Sequence, residues 1–276
     1  MTGASSGIGA AIAMACGRRG MRLGLCARRK DRLAGVAEDV RRAGGEAEVV
    51  PGDVREPESL VRLVTRTVRR WGRLDAIVAN AGFGIHAPVA GTPPGEAREI
   101  FEVNVLGTVW AIQAAWPIFR RQGDGHFIVI SSSAAFHGLP ASALYSATKA
   151  AQMNLAEGLR VEAAEIGAEV SVVYPVVTET GFLQARREHL LGEGEASHHR
   201  SRQSAGQVAE AVLAALERPR FAVYPDRRAR LLPWLEALSP TWTERVRGYR
   251  RRYRAQLGGD ARFAVQPHSP ARRQGG

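Results

Sequence analysis

Six short apolar runs, at residues 21–26, 47–50, 74–79, 127–130, 170–174 and 221–224, recur along the chain with a helix-length stretch between each and the next. The stretches of helical composition are residues 31–43, 58–71, 95–121, 141–166 and 205–217, and a further one, 10–19, precedes the first run. Strict alternation of this kind leaves few folds open. Parallel strands need a crossover of a dozen or more residues, and a helix supplies it. The runs are rich in Val, Ile and Leu with little polar alternation, as in strands buried on both faces. The expectation is an α/β domain with a doubly wound parallel sheet and helices on both faces. Gly20, Gly44, Gly45 and Gly72 fall where helices should end.

With 276 residues, 45% of them hydrophobic, the chain can bury one such core and carry a modest extension. Residues 1–225 read as the main domain, with a polar, irregular stretch at about 181–204 placed as a lid over the substrate. Residues 226–257 read as a basic amphipathic helical extension containing Leu231, Leu232, Trp234, Leu235 and Leu238. The tail, 258–276, is Gly-, Arg-, Pro- and Gln-rich and is expected to be disordered. No run reaches the roughly 18 apolar residues that cross a bilayer, and Met1 opens no signal-peptide pattern. Cys16 and Cys26 have neither metal spacing nor a disulfide framework, which favours a reducing compartment and a cytoplasmic location.

The net charge of +11 raises nucleic-acid binding, and the pattern argues against a specific kind. Lys30 and Lys149 are the only lysines among 38 basic residues, an arginine bias that runs through the whole chain. Only Arg245, Arg247, Arg250, Arg251, Arg252 and Arg254 cluster, and no zinc spacing, helix-turn-helix pair or aromatic platform accompanies them. The pair His198-His199 lacks the second cluster a metal site needs, so no metal is expected.

Chemistry enters with Thr2-Gly3-Ala4-Ser5-Ser6-Gly7-Ile8-Gly9, which leads into the first helical stretch. Glycines let a backbone turn tightly against a pyrophosphate, and a helix N-terminus offers N–H groups and a positive dipole. The spacing Thr-Gly-x3-Gly-x-Gly resembles the short-chain dehydrogenase/reductase family, and further motifs occur in that family's order over about 180 residues. Asp53-Val54 resembles its adenine-contacting pair. Asn80-Ala81-Gly82 resembles the loop that steadies the sheet beneath the cofactor, and Asn104 its helix asparagine. Ser132 stands thirteen residues before Tyr145, and Tyr145-Ser146-Ala147-Thr148-Lys149 is the family's Tyr-x3-Lys.

The resemblance implies a Rossmann-type fold, an NADP(H)-dependent oxidoreductase acting on a small carbonyl or alcohol substrate, and a homo-oligomer paired through long helices. Cofactor contacts are then expected from Gly3, Ser5, Ser6, Gly7, Ile8, Gly9, Arg28, Asp53, Val54, Asn80, Ala81, Gly82, Tyr145, Lys149 and Thr180. NAD-selective relatives carry an acidic residue after the second strand, to bond the ribose 2′-hydroxyl. Here Ala27-Arg28-Arg29 stands there, and an arginine pairs with a 2′-phosphate instead. Pro175 is followed by Val176 where the family often has glycine.

Tyr145 and Lys149, four apart, share one helix face. A free phenol, with a pKa of about 10, exchanges protons poorly at neutral pH. An ammonium about 4 Å away at an effective dielectric near 20 favours the phenolate by about 4 kcal/mol, near three pKa units, and burial opposes it. The expectation is a net lowering. Tyr145 would then pass a proton to a carbonyl oxygen as hydride arrives, and Ser132 would hydrogen-bond the same oxygen. Lys149 would also hold the nicotinamide ribose. Asn104, by resemblance, would anchor a water relaying protons to Lys149. His86 and His137 flank the expected cleft as lining residues, with Leu139 and Phe182 suggesting an apolar substrate.

A different class of reading is a catalytically silent NADP(H)-binding sensor or scaffold. A third, association with a membrane surface, rests on the stretch near Trp234. The family's glycine-rich turn leaves a central first strand, yet here Thr2 follows Met1 directly. Five buried Val, Ile or Leu side chains at about 2 kcal/mol each amount to about 10 kcal/mol. The natural chain is therefore expected to start upstream, unless another segment or a partner fills the slot. A cytoplasmic location is conditional on that missing segment.

Overall fold

The computed structural model describes residues 1–179, 187–188 and 203–234. Its main strands are β1 (Arg22–Ala27), β2 (Glu46–Pro51), β3 (Ala76–Ala79), β4 (Gly125–Ile130), β5 (Ala168–Val173) and β6 (Ala222–Val223). The helices are α1 (Gly7–Gly17), α2 (Lys30–Arg42), α3 (Pro57–Trp71), α4 (Pro94–Phe101), α5 (Gly107–Gln122), α6 (Ala143–Ala164) and α7 (Ala205–Glu217). All six strands lie where the apolar runs place them.

β3, β4, β5 and β6 form a parallel sheet in the order β6-β5-β4-β3, and β1 pairs with β2 in parallel. Met1 and Thr2 lie between the two groups. The Met1 amino group donates to the Gly24 carbonyl at 2.6 Å, and the Cys26 N–H donates to the Met1 carbonyl at 2.9 Å. On the other side the Thr2 N–H donates to the Val78 carbonyl at 3.0 Å. The central slot thus holds these two residues, bonded to both neighbours.

Alternation along the strands sends side chains into two apolar layers. Phe127 and Val129 face Ala111, Ala115 and Phe119 of α5 and Ala156 and Leu159 of α6. Ile128 and Ile130 face Ile12 and Cys16 of α1 and Val208 and Leu213 of α7. Left-handed glycines close two helices: Gly72 at φ 83° ends α3 and Gly123 at φ 66° ends α5. Ser204 and Gln207 cap α7 reciprocally.

The 95–121 stretch, read from sequence as one helix, is two, α4 and α5, joined by a π-helical turn over Glu102–Leu106. That turn carries Asn104, whose side chain meets Phe83 in the loop after β3 and Thr148 on α6. Parts of the segment read as a lid are described: Gln203–Ser204 at its end pairs with Thr178–Glu179 just before it, and Arg187–Glu188 pairs with Ile85–His86. The rest of it, with Phe182 and His198-His199, lies outside the described residues, as do Thr180 and residues 235–276, and with them most of the extension and all of the tail. Among the described residues no helix is long and apolar enough to cross a membrane.

Candidate active site

The glycine-rich turn is folded tightly and fastened from below. Gly3 and Gly7 take left-handed φ values of 64° and 57°, which a side chain would strain. Thr2 Oγ1 accepts from the N–H groups of Asn80 and Ala81 at 3.0 and 3.1 Å. Asn80 Nδ2 in turn donates to the carbonyls of Thr2 and Gly3 at 3.0 and 3.2 Å. The Asn80-Ala81-Gly82 loop is therefore tied to the turn itself.

Arg28 is exposed at the end of β1, and its charge reaches Asp53. Burial pushes the Asp53 carboxyl up, while hydrogen bonds from the Arg55 side chain and backbone, with the nearby guanidinium charges, outweigh it and hold it below the usual range. Both Asp53 oxygens are engaged by Arg55, with the backbone N–H and Nε each at 3.0 Å. Arg29 escaped the sequence reading. It reaches over the turn, its Nη2 donating to Ser6 Oγ at 3.0 Å and Ser5 Oγ at 3.4 Å. The signal was present in Ala27-Arg28-Arg29, but adjacent residues point apart and the sequence does not say which one faces the turn.

Ser132, Tyr145, Lys149 and Asn104 come together where β4 ends against α6. Ser132 Oγ accepts from the Ala134 N–H at 3.1 Å and shares a hydrogen bond with Tyr145. Phe83 and Leu144 pack with Tyr145 beside Ile85, Ala87 and Ile100. Burial pushes the phenol up to about 12, opposed only by the Ser132 hydrogen bond. The net lowering expected from sequence is thus overturned. Lys149 Nζ lies 5.7 Å from the Tyr145 ring centre and donates to the Ile130 carbonyl and Gln152 Oε1, each at 2.9 Å. Lys149 is itself pushed down by burial, to about 7, which weakens its pull on the phenol.

Asn104 is fully buried. Its Oδ1 accepts from the Phe83 N–H, and its Nδ2 donates to the Phe83 carbonyl and Thr148 Oγ1, all at 3.0 Å. Both amide hydrogens are thereby committed. Its main-chain carbonyl accepts from Gln152 Nε2 at 2.8 Å and Thr108 Oγ1 at 2.9 Å. Gly82 is needed here, because a Cβ would stand 3.1 Å from Asn104 Oδ1. His86 and His137 are half-buried at the rim, and His86 Nδ1 meets Ser142 Oγ at 3.4 Å. Ser133 N–H donates to the Pro175 carbonyl at 2.9 Å, holding the segment that carries Val176 against the site.

The family model described as short chain dehydrogenase matches residues 1–191. The chain is 33% identical over 222 residues to an uncharacterised oxidoreductase of Listeria monocytogenes, covering 79% of this chain and 90% of the other. It is 35% identical over 248 residues to 11-beta-hydroxysteroid dehydrogenase-like 4A of Arabidopsis thaliana, covering 87% of this chain and 80% of that one. An alcohol dehydrogenase from the archaeon Thermococcus sibiricus, solved with 5-hydroxy-NADP, superposes with a TM-score of 0.71 at 29% identity over 81% of this chain and 93% of that one. A short chain dehydrogenase/reductase from Burkholderia phymatum, solved with NAD, gives a TM-score of 0.78 at 25% identity over 88% of this chain and 93% of that one.

Proposed function

Because the chain belongs to the short-chain dehydrogenase/reductase family, we propose that it moves hydride between NADP(H) and an alcohol/carbonyl pair on an apolar substrate. The observation that carries this reading is the Ser132, Tyr145 and Lys149 cluster, a phenol hydrogen-bonded to a serine with an ammonium beneath its ring. At about 12, the Tyr145 hydroxyl keeps its proton at neutral pH and can give it to a carbonyl oxygen. Ser132 Oγ is placed to hydrogen-bond the same oxygen and fix its direction. Lys149 then shares its proton with the phenolate that remains. A bound nicotinamide supplies or takes the hydride. Phe83, Ile85 and Leu144 beside Tyr145 support an apolar substrate.

The residues present fit a dinucleotide. The left-handed glycines leave no side chain over the turn, and α1 begins there with its N-terminal N–H groups. Arg28 and Arg29 at the end of β1, with no carboxylate beside them in the sequence, support the 2′-phosphorylated form. Solved relatives carry NADP in some cases and NAD in another, which supports a nicotinamide cofactor of either kind. Exposed Phe101, Leu106, Leu155 and Val161 on α4, the π turn and α6 support pairing of two copies through these helices.

Binding constants decide the cofactor. Arg28→Ala should weaken NADPH by about tenfold or more while NADH changes little. Equal losses, or a wild-type preference for NADH, would overturn the NADP assignment. Turnover of a panel of carbonyl compounds with NADPH separates the enzyme from a silent sensor, which would bind NADPH and reduce none.

A further inference from the structure

The hydride-transfer scheme gives no role to Gln152, a fully buried polar side chain of the site. On α6 it follows Lys149 by three residues and Tyr145 by seven, so all three share a helix face. Gln152 Nε2 donates to the Asn104 carbonyl at 2.8 Å and to Thr108 Oγ1 at 2.7 Å, and Gln152 Oε1 accepts from Lys149 Nζ at 2.9 Å. The carboxamide thus spans from the π-turn carbonyl to the ammonium, with both its N–H groups and its oxygen engaged. Two of the three Lys149 N–H groups are held by fixed acceptors, the Ile130 carbonyl and Gln152 Oε1.

We propose that Gln152 is a positioning residue for this reaction, its carboxamide tying Lys149 to the Asn104 carbonyl. A carboxamide held at both ends by fixed partners keeps its oxygen in one place, so the tie aims the Lys149 ammonium. The charges around Lys149 leave its hydrogen bonds decisive. The ionisable group facing it among the described residues is Tyr145, on its own helix. β4 faces it with the Ile130 carbonyl, the 80–82 loop with Gly82, and the π turn, through Gln152, with Asn104, none of which ionises. Burial is the sole cause of its shift. The catalytic sense of the proposal rests on the hydride-transfer reading, whereas the tie itself does not.

Lys149 and Lys30 are the only lysines in the chain, and Lys30 is exposed at the start of α2. Lysine labelled with 13C at Cε therefore gives two NMR signals, and Lys149 can be titrated in the whole chain with no substrate present. Gln152→Leu removes a charge-assisted hydrogen bond and fills the space with carbon, so the Lys149 titration should fall by about one pH unit. Gln152→Ala opens a space lined by the Asn104 carbonyl, Thr108 Oγ1 and Lys149 Nζ, enough polar partners to hold a water. Its titration should return toward the wild-type value. Turnover of a carbonyl panel with NADPH should keep the same order, with kcat down about tenfold in Gln152→Leu, less in Gln152→Ala, and the KM for NADPH little changed in both. A packing role gives the reverse order, since leucine refills the core and alanine leaves a cavity. An unmoved Lys149 in Gln152→Leu, or an alanine variant more impaired than the leucine one, would overturn the proposal. If Lys149 shifts as expected in a protein that reduces no carbonyl, the tie stands and the hydride-transfer reading falls.

Discussion

A methyl group added at Gly9 should unseat the glycine-rich turn, although alanine is the better helix former by about 1 kcal/mol. The new Cβ would stand 2.3 Å from the Gly3 carbonyl oxygen and 2.6 Å from Asn80 Nδ2. An ordinary carbon–oxygen contact is roughly 3.5 Å, so the turn and α1 must part by about 1 Å. Asn80 resists that movement, because its Nδ2 holds the same Gly3 carbonyl at 3.2 Å. Overpacking against a backbone oxygen this close falls in the upper part of the usual range, about 2–3 kcal/mol. Set against the helix preference, a net loss of about 1–2 kcal/mol remains. For a domain of this size that lowers Tm by about 2–6 °C. NADPH affinity should fall by about tenfold, since the N–H groups at the start of α1 move with the turn. Gly35→Ala is the control: Gly35 lies within α2 and has nothing within 4 Å of its would-be Cβ, so that variant should be stabilised. Thermal melts and fluorescence titration with NADPH read both effects. A Gly9→Ala protein that melts at the wild-type temperature and binds NADPH equally would refute the reasoning.

Two further substitutions test the buried ionisable groups. His126, whose Nε2 meets Ser171 Oγ at 2.8 Å, is pushed down by burial from 6.5 to about 4. Its stabilising share is complete above pH 6.5 and fades as pH falls toward 4, by about 2 kcal/mol at pH 5. His126→Gln should therefore flatten the acid limb of a Tm-against-pH curve, and an unchanged limb would contradict this. Lys149, pushed down from 10.5 to about 7, is protonated more readily unfolded than folded between those values, so wild-type stability rises with pH across that window. Lys149→Met should melt higher than wild type at pH 7, lose the advantage toward pH 10.5, and turn over no substrate. A lower melting point at pH 7 would contradict the burial cost assigned to the ammonium.

Much of this architecture is legible in the sequence because each strand is a compact apolar run. The glycine turn and the Tyr-x3-Lys pair also have fixed local spacing. The π turn at Glu102–Leu106 is not legible, since one inserted residue shifts the apolar periodicity of a long helix by less than the pattern resolves. Gln152 was legible in part: Tyr145, Lys149 and Gln152 form a polar stripe at helical spacing, but spacing does not say what the far end of the stripe touches. The sign of the Tyr145 shift was misread for a related reason. Sequence places Lys149 on the same face as Tyr145, but the burial that raises the phenol and lowers the ammonium comes from the tertiary packing, as do the Ile130 carbonyl and Gln152 that hold Lys149.

Tyr145→Phe tests the central claim most directly. The substitution removes the hydroxyl hydrogen-bonded to Ser132 and keeps the ring that packs beside Phe83 and Leu144. With NADPH and any carbonyl compound that the wild-type protein reduces, the rate should fall by about a hundredfold or more. NADPH affinity should stay within about twofold, because only the exchangeable proton and its oxygen are gone. A variant that binds NADPH normally and keeps a tenth or more of the wild-type rate, as an order of magnitude, would show that Tyr145 is not the proton donor.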